Sequence, residues 1–266
     1  MSEFVNSKAY PWALTGIFAA VHLVLSIIPA FPGVGGGAIT LGMISGPLVG
    51  YLLGPIFGTF SVLIGSVMGL WVNPTVPLLG PFTIIPPTFG AFVAGFIREK
   101  KPYVATIMIG YSIALFYLGP LGQFAVAYLW LHIVAALLAL ILVIPLLSDS
   151  FDFGPGEKSP ANLALLFFSI WIMSFVAVMT DHAIGSAIGV SYFRYIAGWP
   201  AADVEFVFMS IVLFIYPIER LVMSIILAIA LFGLDRALVA TEFRLPLIRE
   251  GIPMFEELPE GSTESE

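Results

Sequence analysis

The side chains of this chain that could do chemistry are few, and they cluster late. Asp181-His182 sets an acid beside an imidazole, the seed of a general acid–base pair. Glu219-Arg220 follows Pro217 at the start of an apolar run, and Arg194 stands among Tyr192, Tyr195 and Trp199, ahead of Asp203 and Glu205. A guanidinium among aromatic rings suits a planar or carboxylate-bearing ligand. The same residues also suit a belt at lipid headgroup level. Earlier in the chain, Trp71 and Asn73 offer a ring and an amide to a ligand, or Asn73 caps a helix. His22, with Ser26 one turn on, is an imidazole inside an apolar run, either functional or hydrogen-bonded to a neighbouring helix. Gln123 reads as a cap.

Several chemistries are excluded by what is missing. No Gly-x-x-x-x-Gly-Lys-Ser/Thr run exists to cradle nucleotide phosphates, and no His-Glu-x-x-His or Gly-x-Ser-x-Gly appears. His22, His132 and His182 lack ligand spacing, and without cysteine there is no thiolate chemistry. Basic residues are too few and scattered for a nucleic-acid surface. No cofactor is implied.

The elements that must position these groups are membrane spans. Between Trp12 and Ile97 there is no Asp, Glu, Lys or Arg. Each Lys, Arg or Asp at a bilayer centre costs roughly 2.5–3.5 kcal/mol on insertion scales, which accounts for the gap. The whole chain is 59% hydrophobic and 10% charged, where soluble domains carry roughly 25% charge. Its mean hydropathy is +1.04. An all-α polytopic bundle of about six to eight spans follows. The segments are roughly 12–30, 38–53, 55–72, 82–97, 103–119, 122–147, 162–181 and 206–240. The first is read as a span and not a cleavable signal. Gly54-Pro55 ends one helix and starts the next. Asp181-His182 closes the seventh span. Pro217 opens the last helix over 218–240, leaving about 203–216 as a short interfacial or re-entrant piece. Residues 1–255 form one transmembrane domain. The acidic tail 256–266, with Glu256, Glu257, Glu260, Glu264 and Glu266, reads as solvated and disordered.

Loop charges give an orientation. With the N-terminus inside, Lys8, Arg98, Lys100, Lys101, Lys158, Arg236, Arg244 and Arg249 fall inside, eight of the ten cations, and only Arg194 and Arg220 outside. Both termini are then cytoplasmic in the cell membrane. The glycine-rich stretch 31–37, the Trp71–Pro77 loop and the 181–219 region gather outside.

Small residues recur at helix spacing: Gly16 and Ala20, Ala91 and Gly95, Ala135 and Ala139. Such pairs let helices approach closely in lipid. The run Ala13–Ala20, a Pro- and Gly-containing outer loop, Gly54-Pro55-Ile56-Phe57-Gly58 and then Gly65-x-x-x-Gly69 resemble the S component of an energy-coupling factor transporter. The resemblance covers residues 12 to about 97, with the final span from Tyr216-Pro217-Ile218-Glu219-Arg220 similar in part. It implies a membrane subunit that captures a vitamin or similar micronutrient. Such a subunit works with a transmembrane coupling protein and cytoplasmic ATPases, so the chain itself would not be an enzyme. The family's Ala-x-x-x-Ala docking position is filled here by Gly16 and Ala20. The family has six spans, and the surplus here lies between 103 and 181.

Ligand would enter from outside between early and late helices, with Trp71, Asn73, Arg194, Glu219 and Arg220 making the contacts. The loops 31–37 and 73–80 would close over it. A self-contained secondary transporter is the alternative and would want ionisable residues at mid-membrane. A membrane-embedded lipid or prenyl enzyme built on Asp181-His182 is the third reading.

Overall fold

A computed structural model describes residues 9–33, 37–74, 77–122, 125–144 and 160–239. Among the described residues the fold is all-α apart from one small hairpin, and five helical runs are long and apolar enough to cross a membrane. It is a multi-pass membrane bundle. Helix α1 (Ala9–Ser26) leads into strands β1 (Pro29–Pro32) and β2 (Ala38–Thr40), an antiparallel pair flanking the glycine-rich turn. Then come α2 (Gly42–Val72), a 3-10 turn (Gly80–Ile84), α3 (Ile85–Arg98), α4 (Tyr103–Leu118) and α5 (Trp130–Ile141). Helix α6 (Pro160–Ser191) runs into a π-helical turn (Tyr192–Ile196). Helix α7 (Ala201–Val207) joins α8 (Leu213–Val239) through another π turn (Phe208–Val212).

α2 is two helices in succession. Gly54 takes φ 85° and ψ 176°, a region open essentially to glycine alone, and Pro55 follows. A Cβ on Gly58 would lie 2.7 Å from the Gly50 Cα. In a straight helix these residues would stand about 12 Å apart along the axis. The chain therefore folds back at Gly54-Pro55, the break expected from sequence, into arms 42–53 and 55–72. The first arm rises only about 18 Å, short of a hydrocarbon core of about 30 Å.

His22 stitches the two arms to α1. Fully buried, its Nδ1 lies 2.7 Å from Ser45 Oγ on one arm and its Nε2 2.9 Å from Ser66 Oγ on the other. One nitrogen donates and the other accepts, so the ring is fully satisfied. Of the two roles the sequence left open for His22, the structure has the structural one. Helix α3 lies along the first arm, where no room exists for a Cβ at Gly50 against the Ala91 carbonyl or at Gly95 against Pro55. Ala91, Gly95, Ala135 and Ala139 are thus internal packing positions. α6 is the bundle's centre, with Leu166, Ile170, Met173 and Val176 wholly enclosed.

One end of the bundle carries the basic residues and is closed by a buried ion pair. Arg98 Nη1 lies 3.8 Å from Asp235 Oδ1 and donates to Tyr51 Oη at 2.6 Å, with the guanidinium 4.5 Å from the Tyr51 ring centre. Arg236 donates to the other Asp235 oxygen at 2.9 Å. Arg98, counted among the loop cations from sequence, is in fact part of the interior.

Two expectations need correction. The seventh helix does not end at Asp181-His182 but runs on to Ser191, so that pair is interior. The 203–216 stretch is no separate re-entrant leg, since Ala201–Ala237 is one helical run. Pro217 sits inside it, and the π turn just upstream loosens the ladder where the proline ring would meet the Leu213 carbonyl. The apolar segments 103–119 and 122–147 hold the helices Tyr103–Leu118 and Val126–Ile141, with 123–124 and 145–147 outside the described residues. The 256–266 tail, Gln123, Lys8, Lys158, Arg244 and Arg249 lie outside the described residues.

Candidate functional site: a roofed cavity opposite the basic end

The end away from Arg98 and Asp235 holds a cavity of about 510 Å³. That is within the roughly 300–1,000 Å³ of small-molecule sites. Its roof is made by the two loops singled out from sequence. Gly33, Ala38, Ile39 and Thr40 from the hairpin, and Pro77, Leu78 and Leu79 from the second loop, all line it. The loops touch each other: a Cβ on Gly37 would lie 2.9 Å from the Leu78 Cα, so this closure requires glycine. The walls are apolar, with Ile84, Phe193, Phe208 and Val212 among them.

Polar groups gather at the floor, from helices far apart in sequence. α6 supplies Asp181, His182 and Ser186, α8 supplies Tyr216, Glu219 and Arg220, and Tyr128 comes from the turn before α5. The hydroxyls and the imidazole form a closed network. Tyr128 Oη lies 2.9 Å from Ser186 Oγ and 3.1 Å from His182 Nε2. The Tyr216 hydroxyl donates to the Tyr128 carbonyl at 2.9 Å. The His182 ring stacks on Tyr216 with centres 4.4 Å apart. His132 stands 5.2 Å behind His182, both ring nitrogens buried without hydrogen-bond partners.

The charged groups of the floor are left open. Arg220 is only 6% exposed, yet among the described residues it forms no ion pair. Its Nη1 points at the Met43 thioether, a weak acceptor, and its Nε has no acceptor. Asp181 and Glu219, both buried, are near enough to act on it electrostatically. Neither carboxylate makes a hydrogen bond or ion pair among the described residues.

The site residues expected from sequence divide in two. Asn73, Glu219 and Arg220 line the cavity together. Trp71 does not: it is 86% exposed on the bundle's exterior, one residue past Leu70, which lines the cavity. Arg194 is also misplaced, since it donates to the Trp199 carbonyl at 3.1 Å and closes the turn after α6 while Trp199 itself lines the cavity. Gly16 and Ala20 lie on the exposed face of α1, with nothing within 4 Å of a Cβ at Gly16.

The chain is 34% identical over 186 residues, 66% of its length, to an uncharacterised protein of Methanocaldococcus jannaschii. Those residues are 54% of that protein, so the chain spans about half the length of this curated relative. No family model and no solved structure matches the chain.

Tyr128, Ser186, Tyr216 and Met43 were not singled out from sequence. Tyr216, next to Pro217 and Glu219-Arg220, carried a usable signal, because an apolar helix that keeps four polar or irregular positions in one turn is guarding an interior. The others had none. Among the described residues no group of three or more His, Cys, Asp or Glu is placed to hold a metal.

Proposed function

We propose that this chain is a substrate-capturing membrane subunit of an uptake system of the energy-coupling factor type, set in the cell membrane with both termini inside. One observation carries the reading: a roofed cavity of small-molecule size lies at the end opposite the basic residues. With the basic end cytoplasmic, as loop charge favours, that cavity opens outward and the hairpin and the 77–80 loop act as its gate. Eight passes result, counting the two arms of α2 separately. The open face of α1 around Gly16 and Ala20 supports docking of a coupling protein, because close helix approach in lipid is favoured by small residues and no described element packs against Gly16. Energy would come from ATPase partners, which would shift the cavity between closed and open states. The test is retention of a small molecule by the purified chain without partners, followed by its release when a coupling module is co-expressed. A chain that retains nothing alone is not a capture subunit.

A second reading, a self-contained secondary transporter, is favoured by Asp181, Glu219 and Arg220 sitting well inside long apolar helices without ion-pair partners among the described residues. Flux by the chain alone in liposomes under an ion gradient would select it.

A further inference from the structure

We infer that the cavity takes a molecule carrying both a carboxylate and a cationic nitrogen on an apolar body. This deepens the capture reading and rests on it. The cavity floor sorts its polar groups into two kinds. Tyr128, Ser186 and the Nε2 of His182 already engage one another, and the Tyr216 hydroxyl is taken up by the Tyr128 carbonyl. Arg220, Asp181 and Glu219 line the same floor, are each nine-tenths buried, and make no ion pair among the described residues. A charge held out of water and left unpaired is expensive, by several kcal/mol for an ion in an apolar interior. In the same molecule Arg98 and Asp235 avoid that cost by pairing.

The geometry also says what each open group wants. A guanidinium presents a planar fork whose best complement is a carboxylate. On Arg220 the one occupied direction holds a thioether, which a carboxylate oxygen would outcompete. The two carboxylates accept only, so their complement is a donor that carries positive charge. One cation and two anions on one floor therefore match a ligand with one carboxylate and at least one cationic nitrogen. A simple anion would face Asp181 and Glu219, and a simple cation would face Arg220. The walls set the remainder of the ligand. Leu79, Ile84, Phe193, Phe208 and Val212 enclose the space above the floor and offer no hydrogen bonds from their side chains. The body of the ligand is apolar or aromatic.

The test uses the full chain in lipid nanodiscs and three matched probes: phenylalanine, phenethylamine and 3-phenylpropanoate. They share one apolar body and differ only in carrying both charges, the cation alone or the anion alone. Wild type, Arg220→Gln and the Asp181→Asn/Glu219→Gln double variant are titrated by thermal shift. In parallel, small molecules extracted from freshly purified wild type are identified by mass spectrometry, before and after amine- and carboxyl-selective derivatisation. Expected is a wild type that responds most to phenylalanine, and an extracted ligand that takes both labels. Arg220→Gln should lose the advantage of phenylalanine over phenethylamine by roughly tenfold in affinity, as for a charge-assisted hydrogen bond. The double variant should lose the advantage over 3-phenylpropanoate. An extracted ligand lacking either group overturns the inference and leaves the capture reading standing. So does a wild type that binds the three probes alike. A wild type that retains no extractable molecule and answers to no probe overturns the capture reading itself, and the inference with it.

Discussion

The two ends of the bundle bury similar groups and treat them in opposite ways. At the basic end Arg98 meets Asp235, Tyr51 and, through Asp235, Arg236, so each charge has a partner. At the cavity end Arg220 shares a floor with Asp181 and Glu219 without pairing to either. Both sets of groups are buried to a similar degree, so burial does not explain the difference. Space does. Around Asp235 the helices close up, whereas the short first arm of α2 and the loops above it leave a hollow beneath the roof. A closed end holds the helices together, and an open end keeps charges available.

That contrast can be attacked from either side. The largest effect is expected at the closed end: Asp235→Ala leaves Arg98 buried without its counter-charge and should cost about 3–5 kcal/mol. Unfolding midpoints in detergent would read this, and Asp235→Ala with Arg98→Met together should recover part of the loss. Next is the hinge. Gly54→Ala forces a Cβ into a backbone region reserved for glycine and should cost about 1–3 kcal/mol, seen as a lower midpoint. His22→Phe removes the hydrogen bonds to Ser45 and Ser66, with Ser45 keeping the Gly42 carbonyl, and should cost about 1–3 kcal/mol while loosening α1 from the α2 arms. Cross-linking between α1 and residue 66 would detect the loosening. The smallest effects separate the misplaced residues from the real floor. Arg194→Ala removes one hydrogen bond to a turn carbonyl, about 1 kcal/mol. Trp71→Ala should leave both stability and ligand affinity unchanged, because the ring reaches neither core nor cavity.

Sequence made the spans legible because the bilayer penalty acts on every residue of a segment, and the empty stretch from Trp12 to Ile97 shows it directly. It made the α2 hinge legible for a local reason, since Gly-Pro breaks a helix wherever it stands. The same penalty misled at Asp181-His182. Two polar residues in succession read as a helix end only if they face lipid, and here they face a cavity that no local pattern announces. Trp71 and Arg194 lie outside the cavity lining, and sequence could not tell this because an aromatic or a guanidinium near a helix end looks alike whether it lines a cavity or lies outside it. Glu219 and Arg220 line the cavity, and their position deep in an apolar helix, which has few cheap explanations, made that placement legible. Tyr128 and Ser186 meet through packing of separate helices, and that adjacency is written nowhere in the linear chain.

The most direct measurement is the unfolding midpoint of ligand-free Arg220→Met beside the wild type in one detergent. If the cavity floor holds its charges for a ligand, removing this cation relieves an unpaired burial, and the midpoint should stay level or rise while affinity for the carboxylate-bearing probe falls by roughly tenfold. A fall matching that of Asp235→Ala would mean that Arg220 braces the bundle as Arg98 does, and the open floor would be no binding site.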